Sequence, residues 1–499
     1  MPPSSEMATL RNMVATSAIH DGERDDEDYT GECHPGTREK YLEDLMAWAD
    51  NGPSDNRVEW VNAVAGAGKT ALLRTFCTML EEQGRFHPIS FFVWKNDNKR
   101  NTLRQFAATI AYQLSRHTSA LVPPIEKAIN DDPLLLQSTF KKQMEKLIIH
   151  PLLDSCDAVN SKGHIIIVVD GLDELDAKGQ TEFLAFLPIL LSRLSSLPIS
   201  LLVSSRPEAK IVGAFQHPKL ASITRPTRLG SSDEDIWTFL NDKFDEINLQ
   251  FPDLEQKHGG KWPSYEQRAI MVKQSSGLFI WPTVAINYID RVEKGLGHSE
   301  RLEHVLSSTE PKPWVASPLD NLYRAILEAH APEDRSSFEF FCFKRRLALL
   351  CLPVNLGNFV WKDKSPHRRK SVDWTEIPIR VVFEETLDDI WDSVAGLASL
   401  FLPRTPSSSG ESPTPAISHR SLRDFTFSRA RCGKDLYYSS EQDLYTEVVC
   451  KYIDYFNTRH AYLVSCSRAE YGGIYSRLQS LSRDAQKWVE SLFNARAIS

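Results

Sequence analysis

Residues 63–70 read Ala63-Val64-Ala65-Gly66-Ala67-Gly68-Lys69-Thr70. Apolar residues with β propensity stand before them (Val58, Trp60, Val61), and a helical stripe follows (Ala71, Leu72, Phe76, Met79, Leu80). A strand, a glycine-bearing loop, Lys-Thr and a helix together make a phosphate-binding loop. Backbone N–H groups at a helix N-terminus point at an anion, and glycines let that backbone approach phosphates closely. The expected cradle is Ala65, Gly66, Ala67, Gly68, Lys69, Thr70 and Ala71. Lys69 is expected to reach the β- and γ-phosphates, and the Thr70 hydroxyl to hold Mg²⁺. The first position of the pattern is Ala63 where glycine is usual. Alanine fits there if its φ is negative.

A second element follows about a hundred residues on, at His164-Ile165-Ile166-Ile167-Val168-Val169-Asp170-Gly171-Leu172-Asp173-Glu174. A continuous β-branched run marks a strand buried on both faces, hence a parallel sheet covered by helices. A carboxylate at the C-terminal end of such a strand sits in the ligand crevice. Asp170 is therefore the candidate that holds Mg²⁺ through water, and Asp173 or Glu174 the candidate to polarise an attacking water. The next strand, Ile199 to Ser204, ends in Ser205-Arg206-Pro207. An arginine just past it can pair with a γ-phosphate in fork geometry. The competing role for Arg206 is a bridge to a surface carboxylate.

Composition sets the frame. At roughly 150 residues per domain, 499 residues suggest about three domains. A net charge of −8 argues against nucleic acid as a main partner, because a phosphate-binding surface wants a basic excess. No apolar run approaches the ~18 residues of a membrane span, and no secretory apolar core opens the chain. The eight cysteines show no C-x-x-C spacing and read as reduced thiols of a cytoplasmic protein.

In chain order, residues 1–32 include the acidic run Asp21 to Asp28 and lack periodicity, so a disordered tail is expected. Cys33 to Asn51 reads as a turn, a Thr37 N-cap and an amphipathic helix carrying Leu42, Leu45, Met46 and Trp48. That helix either covers a nucleotide base or closes the sheet edge. Ile89 to Trp94 reads as a strand, two helical stripes follow, and a last strand lies around Ser222 to Thr224. From Ser231 the pattern is mostly helical, beginning with a Ser232 N-cap before Asp233-Glu234-Asp235. Pro403 to Pro415 is a Ser/Pro-rich loop. No period of 20 to 50 residues is present, so no solenoid or propeller is encoded.

Taken together, CHPGTRE at 33–39, the loop at 63–70, SFFVWKNDNKRN at 90–101, IIIVVDGLDEL at 165–175 and SSRPE at 204–208 resemble, in that order, fungal NACHT-domain proteins. GLFIWPTVAINYI at 277–289 and ISHRSLRDF at 417–425 extend the likeness. These are STAND-class signalling NTPases, similar to NOD-like receptors and to the nephrocystin-3-like N-terminal NACHT region. The resemblance, over roughly 33–430, implies an α/β P-loop NTPase domain over 33–228, a small helical domain over 229–315 and a winged-helix domain over 316–430; residues 431–499 read as C-terminal helices from their own pattern. The resemblance also implies nucleotide clamped between those domains, His419 on the β-phosphate of bound ADP, and Pro282 near the base. Without the resemblance, His419 before a helix reads as a capping or core residue.

Three functions stay open on this reading: a nucleotide-dependent switch with slow hydrolysis, a housekeeping ATPase, and a non-cycling nucleotide-binding scaffold. The histidine motif favours the first. Absence of an N-K-x-D guanine signature leans to ATP, with GTP open. Nucleotide-dependent homo-oligomers or effector proteins are the expected partners. Related receptors carry effector and repeat domains, so here partners supply sensing and output, or the chain is a shortened form.

Overall fold

Five segments of the chain pair in parallel as one sheet: β1 (Val58–Asn62), β2 (Phe86–Phe92), β3 (His164–Asp170), β4 (Ile199–Ser205) and β5 (Thr224–Arg228), in the spatial order β2-β3-β4-β1-β5. They come from a computed structural model. It describes residues 5–22, 31–53, 56–95, 97, 99–291, 296–307, 317–352, 395–401, 417, 419–444, 447–448 and 451. The register is continuous, with Val58 beside Leu201, Val61 beside Ser204, and Val169 beside Val203.

The pleat sorts side chains to two faces, and both are covered. Ile165, Ile167 and Val169 of β3 enter one buried cluster with Phe106, Ile110 and Leu114 of α4 (Phe106–His117). Ile166 and Val168 enter the other, with Leu72 and Phe76 of α3 (Lys69–Gln83). Leu42, Leu45 and Trp48 of α2 (Glu39–Asn51) complete that second layer. The chain therefore has the α/β P-loop fold that the strand and loop patterns imply, and beyond the sheet the described elements are helical.

The edges of the sheet depart from the expected bounds. β2 starts three residues earlier than Ile89, and β5 runs on through Arg225-Pro226-Thr227-Arg228. Each is an edge strand, pairing on one side only, so prolines and charges are tolerated there. Inside the sheet, Glu59 is fully buried and its carboxylate receives Arg225 Nε at 2.6 Å across the β1–β5 register. Polar edge strands of this kind are not visible to an apolar-run criterion.

The disordered tail expected over 1–32 is corrected for residues 5–22. Ser5–Asn12 is a helix, Thr16–Ala18 a short 3-10 turn, and Leu10, Ala15 and Ala18 are buried with α4. The Ala15 N–H donates to Thr109 Oγ1 at 3.0 Å and the His20 N–H to Ser90 Oγ at 2.9 Å. A few small residues at irregular spacing suffice to seat this arm on the domain, and irregular spacing carries no periodic signal. Most of the acidic run lies outside the described residues.

The described chain divides into two compact units, Met1–Pro282 and Thr283–Ser499. The helices Asp233–Gln250 and Tyr265–Ser275 thus belong with the sheet, and the helical segment expected at 229–315 is parted at Pro282. Ser232 caps the first of these helices as expected, accepting the Asp235 N–H at 3.3 Å. In the second unit, Arg420–Thr426 packs against both Pro318–His330 and Phe338–Leu350, and the Tyr323 and Phe425 rings lie 5.5 Å apart. Asp320, fully buried, takes a two-pronged contact from Arg431, with Nη2 to Oδ1 at 2.6 Å. An antiparallel bridge joins Phe401 to Ile417. The Ser/Pro-rich stretch Pro403 to Pro415 and most of 431–499 lie outside the described residues.

Candidate functional site

The loop between β1 and α3 sits at the C-terminal edge of the sheet. Gly66 and Gly68 have φ of +77° and +87°, values an L side chain rarely adopts. A Cβ at Gly66 would also run into the Ile280 side chain. Ala63 is absent from the positive-φ residues, so alanine stands where glycine is usual at no steric cost. Its N–H donates to the Ser205 carbonyl at 3.2 Å, tying the loop entry to the end of β4. Gly68 precedes the first turn of the 15-residue helix α3, so that helix begins at the loop with Lys69 and Thr70.

Lys69 Nζ donates to the carbonyls of Ala63 at 3.0 Å and Val64 at 3.2 Å. Burial pushes its ammonium below the ordinary lysine value, and the carboxylates of Asp173 and Asp170 oppose that shift. The Thr70 hydroxyl donates to Asp170 Oδ2 at 2.7 Å, across a hundred residues of chain. Ser204 donates to the other Asp170 oxygen and accepts the Gly171 N–H at 2.9 Å. Burial raises the Asp170 carboxyl above the usual carboxylate range, and the hydrogen bonds from Ser204 and Thr70 work against it. A hydroxyl and a buried carboxylate at hydrogen-bonding distance, next to a lysine at a helix N-terminus, form a donor set suited to Mg²⁺ and a phosphate chain.

The two carboxylates expected to polarise water are both engaged. Asp173, only 4% exposed, accepts the Arg206 N–H at 2.9 Å and lies 3.1 Å from Arg206 Nε. Arg206 thus bridges to a carboxylate, but to the buried Asp173 inside the site and not to a surface carboxylate. Glu174 Oε2 accepts the Lys95 N–H at 3.1 Å. In this arrangement Asp173 holds Arg206 in place.

Pro282 is buried and lies two residues beyond Ile280, whose N–H donates to the Gly66 carbonyl at 3.2 Å. The segment that carries Pro282 therefore touches the phosphate loop. His419 belongs to the second unit, where it caps the helix Arg420–Thr426. Its Nδ1 accepts the Ser421 N–H at 3.1 Å, which leaves the proton of a neutral ring on Nε2. The Thr37 N-cap is not formed: Thr37 donates to the His34 carbonyl, and Arg38, with φ of +60°, precedes the helix instead. Sequence reasoning missed Ser204, Arg38 and Ile280. Ser204 and Arg38 stand within quoted motifs, SSRPE and CHPGTRE, and Ile280 within GLFIWP, but their roles depend on partners far along the chain.

The sheet, the loop and its acidic partner define a P-loop NTPase domain. Residues 36–206, about a third of the chain, match the family model described as nephrocystin 3, N-terminal. No curated protein matches. Among solved structures, a Walker-type ATPase of Pyrococcus abyssi is similar at TM-score 0.38 and 11% identity, covering 80% of this chain and 99% of that one. CDC6P from Pyrobaculum aerophilum is similar at TM-score 0.32 and 12% identity, covering 82% and 97%. Drosophila ORC bound to DNA is similar at TM-score 0.33 and 11% identity, covering 85% and 93%. Among the described residues, no helix is long and apolar enough to cross a membrane.

Proposed function

We propose that this chain is a nucleotide-dependent switch of the NACHT type, which binds ATP or GTP with Mg²⁺ and hydrolyses it slowly. Lys69 and the loop amides hold the phosphates, and Thr70 and Asp170 hold the metal, which when bound neutralises charge between the β- and γ-phosphates. Arg206 is the cation kept ready beside the γ-phosphate. The observation that carries the slow-hydrolysis reading is the Asp173–Arg206 pair. It ties Asp173 to Arg206, so this carboxylate positions the arginine, while Glu174 is turned onto the Lys95 N–H. A site with a complete cradle and engaged carboxylates suits retention of nucleotide better than rapid turnover. In this reading the nucleotide state controls conformation, and through it self-assembly or an effector partner.

The test is to purify the full chain, identify any co-purifying nucleotide by chromatography, and follow a single turnover alongside light scattering. A retained nucleotide, hydrolysis slower than about 1 s⁻¹ and triphosphate-dependent assembly are expected; ordinary enzymes turn over at roughly 1–10³ s⁻¹. Multiple rapid turnovers without a change in assembly would point to a housekeeping ATPase. Absence of nucleotide binding would remove the proposal altogether.

A further inference from the structure

Two consecutive carbonyls of the phosphate loop are held from outside the loop and its helix. The Gly66 carbonyl accepts the Ile280 N–H at 3.2 Å. The Ala67 carbonyl accepts Arg38 Nη2 at 3.0 Å. In a trans peptide the C=O and the following N–H point in opposite directions. Fixing these two carbonyls toward Ile280 and Arg38 therefore turns the Ala67 and Gly68 N–H groups the other way. Those are groups the loop offers to a phosphate.

Arg38 is built for such a task. It is 3% exposed and holds φ at +60°, a conformation unusual for a residue with a Cβ. Its guanidinium forks: Nη1 donates to the Gly230 carbonyl at 3.1 Å while Nη2 takes Ala67. Nε lies 3.8 Å from the Asp235 carboxylate, in the first turn of the helix Asp233–Gln250. The guanidinium carbon stands 4.9 Å from the centre of the Phe279 ring, one residue before Ile280. One side chain thus touches the loop, the exit from β5, the first long helix after the sheet, and the segment that bonds Gly66.

We propose that Arg38 and the Phe279–Ile280 step form an external clamp on the phosphate loop, through which the seating of segment 230–282 sets the loop's affinity for a nucleoside di- or triphosphate. The proposal rests on the nucleotide-binding reading above. Arg38 is a positioning residue: it aims the loop's own donors. By linkage, a nucleotide that prefers the clamped loop also tightens the seating of 230–282. That gives the switch a route from phosphate to helix within the first unit.

The test uses the full chain and a fluorescent ATP analogue. Arg38→Gly removes the fork and relieves the positive φ. Ile280→Pro removes the N–H, and with it the branched side chain beside Gly66, at the first position of a helix, where proline is tolerated. Lys69→Ala serves as the control. Roughly tenfold weaker binding is expected for Arg38→Gly and for Ile280→Pro; Arg38→Gly also melts lower without nucleotide because buried carbonyls lose their donor, whereas Ile280→Pro melts close to the parent. Arg38→Lys, a cation without the fork, should recover part of the affinity. Nucleotide should protect the backbone around Gly230 from proteolysis in the parent and not in Arg38→Gly, a difference that a purely structural role would not produce. Parental affinity in a folded Arg38→Gly, with binding lost in Lys69→Ala, overturns the clamp and leaves the nucleotide reading intact. Parental affinity in Lys69→Ala overturns that reading itself. If Arg38→Gly does not fold, parental affinity in Ile280→Pro overturns the clamp, and weakened binding supports it.

Discussion

Arg206 reaches Asp173 twice, with its backbone N–H at 2.9 Å and its Nε at 3.1 Å, although 33 residues separate them in the chain. A carboxylate that accepts both is fixed in place, and it fixes the arginine in turn. Asp173→Asn and Arg206→Ala should therefore slow hydrolysis to a similar degree, and the double variant should be little worse than either, because residues in one ion pair are not additive. Glu174→Gln should slow hydrolysis independently if it orients the water. Single-turnover rates of the four proteins decide this; fully additive losses for Asp173 and Arg206 would show separate roles.

Lys69→Ala removes the cation of the loop, and nucleotide affinity should fall well over tenfold, since charge-assisted contacts are worth roughly 1.5–3 kcal/mol. Thr70→Ala should instead reduce the gain that Mg²⁺ brings. Calorimetry with and without the metal separates the two, and equal Mg²⁺ dependence in Thr70→Ala would take Thr70 out of the metal site.

Ser204 is buried between Asp170 and the Gly171 N–H. Ser204→Ala leaves a buried donor and a buried carboxylate oxygen without this partner, a cost of about 1–3 kcal/mol. It also removes a bond that lowers the Asp170 pKa, so Asp170 should take up a proton more readily. Lower melting and weaker Mg²⁺-nucleotide binding toward acid pH are expected together. Reduced melting with unchanged metal dependence would confine Ser204 to a structural role.

His87 and His117 stack with ring centres 3.3 Å apart at the start of β2 and the end of α4. Burial, with His87 alongside, lowers the His117 pKa to about 4, from 6.5. Between those values the unfolded chain binds a proton that the folded chain refuses, so stability should fall as pH drops from 6.5 to 4. His117→Phe should flatten that part of the profile. Denaturant titrations across the window provide the check, and an unchanged slope would mean that burial does not keep His117 from taking up its proton.

The Arg431–Asp320 pair joins two helices of the second unit through a fully buried carboxylate. Asp320→Asn breaks the charge balance and should destabilise that unit by about 3–5 kcal/mol. Its melting transition should drop while the nucleotide site of the first unit keeps its affinity. An unchanged transition would place Asp320 in a relaxed, hydrated environment instead.

The sequence by itself determined the elements whose cause is local. The loop 63–70 needs glycines for φ and a lysine for charge, β3 needs a double-sided apolar run, and Ser232 needs only its own first turn to act as a cap. Such features are written in neighbouring residues. Tertiary structure decided everything that depends on which strand lies beside which. Inserting β4 between β1 and β3 brings Ser204 to Asp170 and Arg206 to Asp173. Folding the segment 230–282 back onto the loop gives Arg38 and Ile280 their partners, and packing against α4 orders an N-terminal arm that has no periodicity. These pairings span tens to hundreds of residues, and a hydrogen bond or buried contact across such a separation leaves no trace in local spacing.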